Sequence, residues 1–123
     1  MDFSYSPRVE ALRQQLWQFM DSHILPRLGA WNAEVGAGRY PVSFMEDLKA
    51  LARDEGLWNL FLPSLKDGEP GTRLSNLDYA PLAEIMGRVP WASEVFNCNA
   101  PDTGNMEVLH LFGSEAQKAR WLE

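Results

Sequence analysis

The sequence predicts an all-α fold, a bundle of about five helices in an orthogonal or up-and-down arrangement. Three observations carry this. Apolar residues recur at spacings of three and four rather than two. Ser-x-x-acid or Ser-x-x-amide patterns stand directly before three of the apolar stripes. Proline and glycine fall at the ends of the stripes, where helices start and stop. With 123 residues the chain has the length of one domain, spanning 1–123. Its 46% apolar and 23% charged residues are those of a chain that buries a core, not of a disordered one.

Ser6-Pro7 opens the first helix, serine as cap and proline in the first helical position. Val9, Leu12, Leu16, Phe19, Met20 and Ile24 form its buried stripe, and Pro26 and Gly29 are expected to end it. Residues 30–40 have no clean period and two glycines, and read as a loop. Pro41-Val42-Ser43 opens a second helix, with Ser43 and Glu46 as a capping box, a face of Phe44, Leu48, Leu51 and Ala52, and Gly56 as terminator. Leu57–Leu62 is a buried extended segment or a buried turn, between which periodicity does not decide. Residues 63–74 read as a two-turn loop around Asp67-Gly68 and Pro70-Gly71, and Ser64–Asp67, although it matches the capping pattern, as a turn.

Ser75 and Asp78 form a box at the head of a helix that reaches about Met86 and stops at Gly87. Pro81 within it predicts a kink, unless the helix begins there. Residues 88–100 read as an irregular connection. Pro101-Asp102-Thr103 begins a fourth helix with Met106, Leu109, Leu111 and Phe112 apolar and Gly113 as stop; Asp102 or Thr103 is the expected cap. Ser114 and Gln117 box the last helix, which runs through Trp121-Leu122.

The chemistry the sequence lacks excludes several classes. A net charge of −6 argues against a nucleic-acid binder. The single cysteine, Cys98, excludes an internal disulfide, and His23 and His110 form no metal-ligand spacing, so no metal site is expected. No apolar run has the length of a membrane span, and Met1-Asp2-Phe3-Ser4 is not the start of a signal peptide, so a cytoplasmic location is expected. Neither a nucleophile elbow nor a glycine-rich phosphate loop is present. The acidic residues fall at helix starts and on polar faces. Trp17, Trp31, Trp58, Trp91 and Trp121 read as packing residues rather than a ligand box.

One segment stands apart. Residues 97–106 pack three asparagines, an aspartate, a threonine, a proline and a glycine between apolar stretches. Such a cluster is costly to bury without partners. It reads as a helix N-terminus, or alternatively as the lining of a ligand cavity. Gly104 in the first turn costs ~1 kcal/mol relative to alanine, which suggests that something approaches the backbone there.

The residues also carry a family resemblance. Trp58-Asn59-Leu60-Phe61-Leu62-Pro63, then Leu74–Ala80 and Leu82–Arg88, resemble the N-terminal helical domain of acyl-CoA dehydrogenases. Trp91–Cys98 and Ala100–Glu107 are similar to the branch containing the large members, some fused to a kinase-like domain. Phe112–Leu122 is similar to the family's G-[ST]-x-x-Q-K-x-x-[WY]-L element. The blocks occur in order and the resemblance spans essentially the whole chain.

The resemblance implies a three-part enzyme in which a middle β-domain and a C-terminal bundle follow this domain and hold FAD between them. A carboxylate base in the C-terminal bundle takes the α-proton of an acyl-CoA thioester and the β-hydride passes to the flavin. Both parts are expected to be absent from 1–123, which is then a fragment, a truncated reading frame or one chain of a two-chain enzyme. No catalytic and no cofactor-binding residue is therefore expected here, and FAD is not expected to bind this chain alone. What the resemblance does assign is the distal wall of the acyl pocket: Asn97, Cys98, Asn99, Pro101, Thr103, Asn105 and Met106, with His110 at its margin. The implied partners are the acyl-CoA substrate, the β and C-terminal parts or a separate chain carrying them, and further copies in a homo-oligomer. The rival expectation is a free-standing helical interaction module without enzymatic activity.

Overall fold

The computed structural model describes residues 4–62, 65–66 and 71–122. The turns expected at Asp67-Gly68 and Pro70-Gly71, and the Ser64–Asp67 match, lie at least in part outside those residues. Among the described residues there are helices and turns and no strand, so the all-α class holds.

Helix α1 spans Pro7–Phe19. Ser6 caps it, its hydroxyl accepting from the Val9 N–H at 3.2 Å. The chain does not stop at Pro26 and Gly29. It passes through a π turn, Met20–Ile24, and a 3-10 turn, Leu25–Arg27, into α2, Leu28–Gly36. The region read as a loop is thus mostly helix. Pro26 cannot donate a helical bond, and the ladder changes pitch around it: the Leu25 N–H reaches back five residues to Met20 O. The Arg27 guanidinium donates to His23 O at 2.9 Å. No residue of α2 is fully buried, and only Trp31 and Val35 pack on the core, which is why no stripe announced it.

Helix α3 is Met45–Asp54. The box expected from Ser43 and Glu46 does not form; Phe44 holds the cap position without a side-chain bond. Glu34 of α2 takes Ser43 instead, its carboxylate accepting the Ser43 N–H at 2.7 Å and hydroxyl at 2.6 Å. The hydroxyl bond and then the backbone bond hold the Glu34 pKa below its ordinary value. The other end behaves as read. Gly56 adopts φ +71, the Leu57 N–H bonds Ala52 O at 2.8 Å and the Gly56 N–H bonds Arg53 O at 3.0 Å. This is the crossed pair of a left-handed helix terminus, closed by two fully buried side chains, Ala52 and Leu57.

Helix α4 is Asn76–Met86 with the Ser75–Asp78 box formed in both directions. It begins at Asn76, not at Pro81, which sits buried within it. The connection at 88–100 contains a short helix, α5, Ala92–Val95. Helices α6, Asp102–Phe112, and α7, Glu115–Trp121, follow, the latter with its Ser114–Gln117 box formed. Neither Asp102 nor Thr103 caps α6; the cap position is Pro101 and no side chain bonds there. Gly113 is the C-cap of α6, with extended backbone, and glycine fits there because a β-carbon would stand 2.5 Å from Leu109 O, the carbonyl that accepts the Gly113 N–H.

The main core joins α1, the π turn, α3, α4, α5 and the Leu57–Leu60 turn; Phe19 and Phe96 meet edge-on at 5.1 Å in its middle. No residue of α6 or α7 belongs to it. A second, smaller cluster of Phe61, Leu62 and Met106 fastens these helices, with Tyr79, Cys98 and Leu122 against it. The consequence is an open face. Val108, Leu111, Phe112 and Trp121 are 59–80% exposed. Trp121 is therefore not the packing residue expected of it, unlike Trp91 in the core and Trp17, Trp31 and Trp58 against it.

Candidate functional site

Leu57–Leu62 is the buried turn, not the extended segment. Asn59 turns it with φ +56, and Asn97, at the end of α5, has φ +52. Asparagine tolerates this left-handed region better than most residues. The two are clasped: Asn97 Nδ2 donates to Asn59 Oδ1 at 2.7 Å, and the Asn59 N–H donates to Phe96 O at 3.1 Å. Asn97 Nδ2 also lies 3.4 Å from Met106 Sδ. Asn59 is the member of this cluster that sequence reasoning missed. Its signal, one polar residue inside Leu-Trp-Asn-Leu-Phe-Leu, was present, but its partner is 38 residues away.

Cys98 is half-buried rather than fully buried. Its N–H bonds Ser93 O at 2.8 Å and its Sγ lies 3.3 Å from Phe96 O. Burial pushes the thiol pKa up, against hydrogen bonds from the Phe61 backbone and the Tyr79 side chain. Burial, and then Cys98 itself, push Tyr79 up. A thiol of raised pKa carries less thiolate at a given pH, and the thiolate is the reactive form. We expect iodoacetamide to modify Cys98 at pH 8 at least tenfold more slowly in the folded chain than in urea. The folded-state rate should still be climbing at a pH where the unfolded thiol has levelled off. Equal rates in the two states, followed by mass spectrometry, would contradict this.

The residues assigned to a pocket wall do not share one cavity. A cleft of about 520 Å³ opens between the Asn59 turn and α6–α7. Of the expected wall it takes Met106, with His110 beside it; Leu62, Leu65, Ala119 and Leu122 complete its apolar lining. A second hollow of about 300 Å³ takes Asn99 with Trp31, Trp91, Tyr40 and Glu94. Asn97 and Cys98 stand behind Met106 through the contacts above, whereas Pro101, Thr103 and Asn105 line neither cavity. Nor does anything approach Gly104; a β-carbon there would meet nothing within 4 Å.

Charge is arranged differently at the two places. At the hollow, Glu94 accepts the Tyr40 O–H at 2.5 Å and pairs with Lys49 at 3.2 Å. That hydrogen bond to Glu94 is the main reason the Tyr40 pKa is raised. Burial opposes the Lys49 charge, but Glu46 and Glu94 outweigh it and its pKa rises. At the cleft, the Arg53 guanidinium lies 3.9 Å over the Trp58 ring, and Lys118 pairs with Glu115 at 3.2 Å. No cluster of three or more potential metal ligands occurs among the described residues. No described helix is long and apolar enough to cross a membrane.

A flavin dinucleotide would need its pyrophosphate neutralised. The cleft offers it one guanidinium and a lysine already tied to a carboxylate.

Comparison with known proteins identifies the family. The family model described as acyl-CoA dehydrogenase, N-terminal domain, matches residues 6–123. Acyl-CoA dehydrogenase family member 10 of Mus musculus is 50% identical over 121 residues, 95% of this chain and 11% of the mouse protein. Family member 11 of Rattus norvegicus is 44% identical over 128 residues, 98% of this chain and 16% of the rat protein. A solved structure from Mycobacterium abscessus, assigned to the acyl-CoA dehydrogenases, superposes with a TM-score of 0.84 at 46% identity, over 98% of this chain and 31% of that one. The chain thus spans between about a tenth and a third of the length of these relatives. With its sequence and its overall fold both matching, the chain belongs to the acyl-CoA dehydrogenase family, in the region of that family's N-terminal domain.

Proposed function

We propose that the chain serves as the N-terminal helical domain of an FAD-dependent oxidoreductase acting on CH–CH groups of acyl-CoA thioesters, with FAD and the base held by other parts of the protein. In this reading Met106, with Asn97 behind it, is the part of the Asn97–Met106 segment that forms the distal wall of the acyl pocket. The observation that supports it is the clasp of Asn59 with Asn97 behind Met106: two left-handed asparagines hold a sulfur-lined wall at a set distance from the turn. Such a wall grades acyl length, because one methylene is worth only about 1–3 kcal/mol of discrimination.

The test uses the flavin spectrum. Purified alone, the chain should carry no stoichiometric flavin and should not reduce an electron-acceptor dye with acyl-CoA. Joined to the β and C-terminal parts of a relative, it should give a yellow protein whose acyl-length preference lengthens by one or two carbons on Met106→Ala. Flavin absorbance with the isolated chain, or an unaltered length profile, would refute the proposal.

A second reading, an interaction module without activity, is favoured by one observation: the open face of Val108, Leu111, Phe112 and Trp121. We take its partner to be the β-domain that follows in this family. If that reading held alone, the joined protein would lack flavin while the face still bound a partner.

A further inference from the structure

The 520 Å³ cleft has the size of a small-molecule site. Its lining mixes apolar side chains with Arg53, His110, Glu115 and Lys118. Leu62, Met106, Ala119 and Leu122 supply apolar surface, and the Arg53 guanidinium lies over the Trp58 ring at 3.9 Å. Arg53 is exposed, on the last turn of α3, and among the described residues no carboxylate pairs with it. A guanidinium stacked on an indole keeps its in-plane N–H donors for an anion and is fixed in direction by the ring. The lysine of the lining, Lys118, is paired with Glu115 at 3.2 Å. Among the described residues the cleft thus combines one cationic fork that no carboxylate pairs with and an apolar surface.

We propose that this cleft binds an aliphatic monocarboxylate, its carboxylate on Arg53 and its chain along Leu62, Met106 and Leu122. Charge complementarity selects the head group: one planar fork matches one carboxylate bidentately, and Lys118 of the same lining is paired with Glu115. The apolar surface of Leu62, Met106 and Leu122 selects the tail. The site goes beyond the pocket wall proposed above, since its recognition element, Arg53 on Trp58, lies outside the Asn97–Met106 segment.

The test needs only the 123-residue chain. Sodium octanoate, octanol and acetate are titrated separately and followed by two-dimensional NMR of backbone amides, indole N–H groups and methyls. Octanoate should shift Trp58, Met106 and Ala119 saturably, octanol should shift the same residues at least tenfold more weakly, and acetate should shift none. Arg53→Gln, at an exposed position, should weaken octanoate to the level of octanol. Ala119→Phe, also exposed, should block both. Equal affinity for octanol and octanoate overturns the proposal, as does full affinity in Arg53→Gln. Shifts confined to Val108, Leu111, Phe112 and Trp121 would mean adsorption to the open face. Shifts at the cleft on raising protein concentration alone would mean that a second copy occupies it. Either result also overturns the proposal. The wild-type comparison of octanoate with octanol decides the matter even if a variant fails to fold, and its outcome is independent of the flavin test.

Discussion

Phe96→Ala is expected to lower the unfolding free energy by about 3–5 kcal/mol, as large-to-small changes at fully buried aromatics do. Phe96 is 0% exposed and meets Phe19 edge-on at 5.1 Å. Its carbonyl also accepts the Asn59 N–H, so the ring anchors the point where the Asn59 turn crosses α5. The cavity left by alanine cannot collapse easily, because α1, α3 and α4 meet there around Leu16, Leu48 and Leu82, all fully buried. Domains of this size have only about 5–15 kcal/mol of net stability, so the variant should be marginal. Urea denaturation followed by circular dichroism measures it. A midpoint loss equivalent to less than about 1 kcal/mol would mean that Phe96 is not a central packing residue.

The second large effect concerns the clasp. Asn97→Ala removes the bond to Asn59 and places alanine at φ +52, where a β-carbon is penalised. Together these should cost about 2 kcal/mol, the bond contributing about 1. Asn97→Gly also loses the bond but relieves the backbone, and should cost about half as much. The ordering separates the two causes: alanine worse than glycine shows that the left-handed conformation matters, and the residual loss in glycine reports the bond. A double-mutant cycle with Asn59→Gly should then show a coupling of about 0.5–1 kcal/mol. Additive losses would show that the two asparagines do not act as a unit. The same variants bear on the wall, since Met106 Sδ lies against Asn97 Nδ2.

Short-range signals were readable wherever no distant group competed for the same atoms. Ser75–Asp78 and Ser114–Gln117 form their boxes because both partners lie within three residues and nothing else claims them. Gly56 and Gly113 stand at the ends of their helices, the first with left-handed and the second with extended backbone. Ser43–Glu46 has the same spelling as the other boxes and fails, because Glu34 captures Ser43 first. The α2 helix was hidden because it has no fully buried residue and contains Gly29 and Gly36; packing of Trp31 and Val35 on the core holds it, and such packing leaves no 3.6-residue stripe.

The pocket residues show the same division. Their neighbourhood in sequence, 97–106, was evident from composition, but of the seven only Asn99 and Met106 line a cavity, and not the same one. Whether Asn99 and Met106 share a wall depends on how α5 and α6 are turned against the Asn59 turn, and the bond that sets this joins positions 38 apart. Arg53, Trp58 and Leu122 fall in three separate stretches, and nothing in their spacing announces a cleft. From the order of the residues alone came the helical class, the family and the helix ends made by neighbours. The three-dimensional packing alone decided which polar groups pair across the chain, which apolar face stays open, and where the cleft lies, because each of these is an energy between residues that only folding brings together.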